Sequence, residues 1–346
     1  MSDRERFDPQ ELAVVLSHYD LGVIESANEF PRGSRRAPKL LLTTPGGKYL
    51  LKRRAIGRDD PFKVAFAHAL VSHLRRRKFP VPALINTRDV ENSILSLNGR
   101  VYEVFEFVEG DRYDDSLEQT THAGYVLARY HEAVADFRSE WTPPPGSYHD
   151  APMVRQGLNA IPTVAGGHDS VVGHEAELLH LTQELYEIYD TSAARVNALG
   201  FTAWPTTIIH GDWHPGNLLF RGQRVCAVLD FDAARWQPAI IDVAYGMLQF
   251  SILRSEEDPE RWPDYADEGR TRRFWTGLSA HMQLPPPQRE AIPDLMLEAL
   301  VGEAALPIAV TGAFGRLPGF GVLRMVRRKA QWLLSNRERL CQWLLE

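Results

Sequence analysis

The stretch His210-Gly211-Asp212-Trp213-His214-Pro215-Gly216-Asn217-Leu218-Leu219-Phe220, followed by Val228-Leu229-Asp230-Phe231-Asp232, decides the fold. Leu218–Phe220 and Val225–Leu229 are short apolar runs flanking Arg221-Gly222-Gln223, which reads as a β-hairpin. Such a hairpin brings Asn217 and Asp230 to one end. Taken singly, an Asp or Asn beside Gly and Pro is a turn former or a helix cap. Taken together, a loop carboxylate (Asp212), an amide soon after it and a carboxylate leaving a strand are the groups that phosphoryl transfer uses. One orients a hydroxyl and accepts its proton, and the others hold Mg2+ against a triphosphate.

The string HGDWHPGN at 210–217, LDFD at 229–232 and Ile241-Asp242-Val243-Ala244 resemble the aminoglycoside phosphotransferase and choline kinase superfamily. In style they look most like its bacterial homoserine-kinase-like and spore-coat-kinase-like branch. The resemblance implies an α+β, protein-kinase-like fold of two lobes, with a five-stranded antiparallel sheet plus helix in the first and a larger, mainly helical second lobe. It makes Asp212 the catalytic base, Asn217 and Asp230 the Mg2+ ligands, and Asp242 a buried brace for the catalytic loop. ATP is then the expected cofactor, lying between the lobes, and the expected reaction is phosphorylation of a hydroxyl.

Working outward, Asp8-Pro9 opens a short helix over 8–18 by its cap and first-position proline. Strands are expected at Gly22–Ser26, Lys39–Thr44, Lys48–Arg53, Ser93–Leu97 and Arg100–Gly110, with Asn98-Gly99 as a hairpin turn. In the kinase-like reading, Gly33 and Ser34 lie over the nucleotide phosphates, and Lys52 contacts the α and β phosphates. A basic hairpin turn accounts for the Gly33 loop equally well. Glu106 and Val108 fall in the segment 105–110 that resembles a hinge, where backbone groups meet adenine.

Asp60-Pro61 caps the next helix, with Phe62, Ala65, Phe66, Ala69, Leu70 and Leu74 as its buried face. Family members commonly use a glutamate on this helix to hold the strand lysine, yet no Glu occurs between residues 54 and 90. Either His68 or a carboxylate from elsewhere must orient Lys52. Arg75-Arg76-Arg77-Lys78 reads as a solvated helix terminus complementing the helix dipole.

A chain of 346 residues is long enough for two cores, and the expected division is 1–106 for nucleotide and 107–346 for catalysis and substrate. A net charge of −6 argues against a nucleic-acid binder, and no apolar run reaches the roughly 18 residues of a membrane helix, so a cytoplasmic protein is expected. With only two cysteines and no Cys/His cluster, any metal should be oxygen-ligated.

Apolar periodicity predicts helices over 122–135, 175–198, 243–253, 270–282, 288–306 and 323–345. The last, with Trp332, Leu333, Leu340, Trp343 and Leu344 at its apolar positions, is expected to pack on its own lobe, and oligomeric state is not legible. His131 reads as a core histidine, and His210 as a loop-shaping one. Asp232 either contacts substrate or caps the following turn, with capping favoured. The acidic run Glu256, Glu257, Asp258, Glu260, Asp264, Asp267 and Glu268 either attracts a cationic amine or is solvated. The expected acceptor is a small amino alcohol such as homoserine, or an amino sugar. A protein serine/threonine kinase and a nucleotide-binding pseudokinase are the alternatives.

Overall fold

The computed structural model describes residues 4–89, 92–254 and 257–345 and divides into two compact units. The first comprises residues 1–113, 133–144 and 216–234; the second comprises 114–132, 145–215 and 235–346.

In the first unit, helix α1 (Pro9–Ser17) starts at a capping box: Asp8 accepts from the Gln10 and Glu11 amides while the Glu11 carboxylate accepts from the Asp8 amide. The strands β1 (Ser26–Glu29), β2 (Lys39–Thr44), β3 (Gly47–Arg53), β4 (Leu84–Ile85), β5 (Leu95–Leu97) and β6 (Arg100–Glu106) form one antiparallel sheet in the order β1-β2-β3-β6-β4, with β5 also on β6. Alternation along β2 sends Leu40 and Leu42 inward, where they meet Val15, Tyr19, Leu51, Tyr102 and Val104. Asn98 and Gly99 both adopt positive φ and close the β5–β6 hairpin, as their sequence signals.

Three details differ from the sequence reading. The first strand begins at Ser26, because Gly22 turns in the left-handed region and Val23 is exposed. A sixth strand, β4, is added; at two residues it is too short to show alternation. On helix α2 (Pro61–Arg76) the buried face includes Val64, Ala67, His68 and Val71, whereas Phe62 is exposed beside the Trp141 ring. The Asp60 cap holds as expected, and residues 75–78 are solvent-exposed.

Two further strands of this unit, β8 (Leu218–Arg221) and β9 (Arg224–Val228), form the expected hairpin. It is tied to the segment that follows β6 by a bridge between Asp111 and Phe220.

The second unit is mainly helical: α3 (Leu117–Ala133, its last residue excepted), α4 (Pro152–Ala165), α5 (Glu175–Ala198), α6 (Ile240–Ser251), α7 (Glu268–Ser279), α8 (Pro286–Thr311), α9 (Gly319–Ser335) and α10 (Arg337–Leu345), with the ribbon β7 (Thr206–Ile209) and β10 (Arg235–Pro238). Helix α8 is buried on most of its circumference and packs against α4, α5, α6, α9 and α10. Helix α4, which carries Pro152, Gly157 and Pro162, is not among the expected helices; Gly157 lets it approach Ala305 and Ala309 of α8. The expected C-terminal helix is broken at Asn336 into α9 and α10, which bury Leu333, Leu340 and Leu344. No helix among the described residues is long and apolar enough to cross a membrane.

Candidate active site

In the second unit, the loop after β7 is fastened from below. Asp242, fully buried on the first turn of α6, accepts the His210 amide at 2.7 Å and the Gly211 amide at 2.8 Å. Gly211 takes φ +77, the left-handed bend that points both amides at one carboxylate. His210 is buried, and its Nδ1 accepts from the Asp212 amide at 3.2 Å, so Nδ1 carries no proton. Trp213 is buried against His210, and Gly246 on α6 leaves room for its ring, since an added Cβ would lie 3.1 Å from Trp213 Cδ1. His131 is a buried core residue 3.4 Å from the Asp242 carboxylate.

Fastened this way, the loop presents the Asp212 side chain partly to solvent. Tyr245 Oη donates to Asp212 Oδ1 at 3.3 Å, and His214 Nε2 stands 3.5 Å from Oδ2. Burial, with Glu303 and Asp212 nearby, pushes the Tyr245 hydroxyl far above its usual range and keeps it a donor. Beside them lies a pocket of about 160 Å³ lined by Gly211, Tyr245, Tyr148, Arg235 and Glu303. Burial raises the Glu303 carboxyl, with His214 opposing the shift and Asp212 adding to it; Gln249 hydrogen-bonds it. The Tyr148 and Tyr245 rings are 6.2 Å apart.

In the first unit, Lys52 finds its carboxylate on the neighbouring strand. Lys52 of β3 is directly opposite Glu103 of β6, and Nζ to Oε1 is 2.9 Å. Glu103 is fully buried, and its Oε2 also meets Arg54 Nη2 at 3.0 Å and His68 Nε2 at 2.7 Å. Burial alone would raise the Glu103 carboxyl, but Lys52, Arg54 and His68 together hold it well below the usual carboxylate range. The two candidates for orienting Lys52 thus both contribute, with Glu103 in contact and His68 behind it. Lys52 stays charged, since Glu103 and Asp232 outweigh its burial.

Asp232 caps no turn among the described residues. It forms a fork with Arg54, at 2.8 and 2.9 Å, and stands 3.8 Å from Lys52. Asn217 and Asp230 come together at the hairpin end, where the Leu229 amide donates to the Asn217 carbonyl at 2.9 Å; Asp230 itself has φ +63. Gly33 and Ser34 lie in an exposed turn, with Ser34 Oγ accepting the Arg36 amide. Glu106 ends β6, its side chain 3.4 Å from Arg75, and Val108 follows, half-buried. Lys52, Gly33, Ser34, Glu106, Val108, Asn217 and Asp230 therefore lie in the first unit and Asp212 in the second, the chain passing from one to the other at Pro215–Gly216.

The acidic run does other work. Asp258 and Asp267 cap helical turns, Glu260 and Asp264 pair with Arg324 and Arg328, and Glu268 pairs with Arg272 and Arg339. Glu256 lies outside the described residues. The sequence reading missed Glu103, Tyr245 and Glu303. A charge in the middle of the apolar strand 100–107 signalled the first, and the one-turn spacing from Asp242 signalled the second. Glu303 carried no local signal.

Residues 27–281 match the model of the phosphotransferase enzyme family. A homoserine kinase of Nitrobacter winogradskyi is 29% identical over 229 residues, covering 64% of this chain and 62% of that protein. The chain thus spans about three fifths of the length of this relative and of two further homoserine kinases it matches. Among solved structures, the microcompartment-associated aminopropanol kinase superposes with a TM-score of 0.68 at 17% identity, over 98% of this chain and 99% of that one. Amicoumacin kinase, solved with AMP-PNP, Ca2+ and Ami, gives 0.66 at 14% identity, over 97% and 94%. These two likenesses show the shared fold, and the family match, covering well over half of the sequence, shows that this chain belongs to the phosphotransferase enzyme family.

Proposed function

We propose that this protein transfers the γ-phosphoryl group of ATP, with Mg2+, to the hydroxyl of a small amino alcohol such as homoserine. The observation that carries the reading is the Asp212 carboxylate, braced through Asp242 and aimed by Tyr245, at the edge of a small pocket containing a second carboxylate, Glu303.

In this reading Asp212 accepts the hydrogen bond of the acceptor hydroxyl, aligns its oxygen for in-line attack, and takes its proton as the bond to phosphorus forms. Tyr245 holds one Asp212 oxygen, and the other, 3.5 Å from His214 Nε2, is the one that would accept the acceptor's hydroxyl. Glu303 receives the acceptor's ammonium, with the Tyr148 and Tyr245 rings beside it as apolar, cation-tolerant walls. Arg235, lining the same pocket, suits a carboxylate where the acceptor is an amino acid.

Lys52, held by Glu103, binds the α and β phosphates, with the Gly33–Ser34 turn over them and the backbone of Glu106 and Val108 against adenine. The amide oxygen of Asn217 and the carboxylate of Asp230 form a hard, all-oxygen pair that fits Mg2+. No cluster of three His, Cys, Asp or Glu exists among the described residues, and Mg2+ needs none, because it takes one or two protein ligands and completes its shell with phosphate oxygens and water. When bound, the ion neutralises charge on the transferring phosphoryl group. The names of the relatives, homoserine kinase and aminopropanol kinase, agree with an amino alcohol acceptor.

The test is ADP release with ATP and Mg2+ across amino alcohols, amino sugars and protein substrates. Turnover should appear with a small amino alcohol and vanish in Asp212→Ala while nucleotide affinity persists. Equal turnover by that variant and the parent would refute the mechanism.

A further inference from the structure

The second strand begins with a lysine that has no ion-pair partner among the described residues. Lys39 is directly opposite Lys52 in the β2–β3 register, a like-charge cross-strand pair of the kind that ordinarily destabilises a sheet. Lys52 has Glu103 and Asp232 to offset its charge. The Lys39 ammonium makes no ion pair or hydrogen bond with any described residue, although it is half-buried and lies in the field of Asp230, Glu103 and Asp232. Burial and the neighbouring Lys52 outweigh those carboxylates and lower its pKa, which marks a charge held in an unfavourable place.

A second observation locates the ammonium. Gly33, at φ +81, turns the β1–β2 loop so closely over it that an added Cβ would lie 2.8 Å from Lys39 Nζ. The loop has one glycine between Pro31 and Pro38 and not a run of glycines, so its backbone is less free to fold around a polyanion than a glycine-rich loop, and its two prolines lack N–H donors. A cation under the turn supplies what the backbone does not.

We propose that Lys39 is a second phosphate-binding lysine, which contacts the nucleotide's polyphosphate on the Asp230 side of Lys52. The like-charge pair is a site prepared for a polyanion: repulsion between Lys39 and Lys52 is present without ligand and is neutralised when the phosphates are bound. This inference rests on the phosphotransferase reading and adds to it a binding group, the side of the phosphate chain it meets and an energetic signature.

The experiment uses the full chain and measures calorimetric affinity for Mg-ATP, inorganic tripolyphosphate and adenosine, together with melting temperature without ligand. Lys39→Met should weaken ATP and tripolyphosphate by about tenfold or more, the loss of one charge-assisted contact, and leave adenosine unchanged. Lys39→Arg should recover most of the loss. Without ligand, Lys39→Met should melt at or above the parent's temperature, because removing the charge relieves Lys52. ATP affinity within twofold of the parent overturns the proposal. So does an equal loss for adenosine together with a lower melting temperature, which marks a structural role. A parent that binds adenosine and ATP equally well overturns the phosphate contact while leaving nucleotide binding intact, and one that binds neither overturns the phosphotransferase reading as well.

Discussion

Replacing Glu103 with Gln tests how Lys52 is held. The substitution keeps the size of the side chain and removes its charge at a fully buried position that faces Lys52 at 2.9 Å, Arg54 at 3.0 Å and His68 at 2.7 Å. The Arg54 guanidinium and the Lys52 ammonium would be left with Asp232 alone, itself 3.8 Å from Lys52. Removing one partner of a buried ion pair costs about 3–5 kcal/mol, since the partner's desolvation is no longer offset. With two cations stranded, the upper part of that range is expected, read as a fall in unfolding free energy from urea titration. The exposed pair Lys48–Glu109, though only 2.5 Å long, is screened by solvent, so Glu109→Gln should shift the same measurement little. The pH arm follows from the sign of the shift. Glu103 is depressed in the folded state, so its contribution is fully present above the unfolded carboxylate value of about 4.3 and is lost as pH falls through the folded value. Glu103→Gln should flatten that acid limb. A variant whose stability lies within about 1 kcal/mol of the parent, with an unchanged acid limb, would refute the account of this cluster.

Asp230→Ala should abolish the Mg2+-dependent part of ATP affinity while binding of adenosine persists, checked by calorimetry with and without the metal. Asp242→Asn offers one acceptor where the His210 and Gly211 amides need two, and should cost about 2–4 kcal/mol in thermal or urea unfolding and lower kcat through the loosened loop. Glu303→Gln should raise KM for an amine-bearing acceptor and leave ATP affinity unchanged. In the parent the same KM should climb as pH falls through the raised Glu303 value, because protonation removes the charge that the ammonium meets. Gly246→Leu would force a side chain into the Phe274 ring, 2.6 Å from the position of Cβ, and should lower the melting temperature and turnover together.

What could be read along the chain was whatever depends on neighbours in sequence. The caps at Asp8 and Asp60, the Asn98-Gly99 turn and the 218–228 hairpin all emerged as their residues dictate, because backbone hydrogen bonds within a few positions settle them. For the same reason Asn217 and Asp230 could be placed at one hairpin end, and Asp242 could be expected beneath the loop only by likeness to a family. Tertiary structure decided the partners. Lys52 meets Glu103 because β3 and β6 adopt one particular register, and a shift by one residue would turn Glu103 to the other face. Asp232 meets Arg54 across 178 positions, and Glu303 joins the Asp212 pocket from the middle of a helix whose apolar pattern says only that it is buried. Periodicity identifies the face a residue occupies. The charge it will meet there depends on which element packs against that face, and no local spacing encodes it.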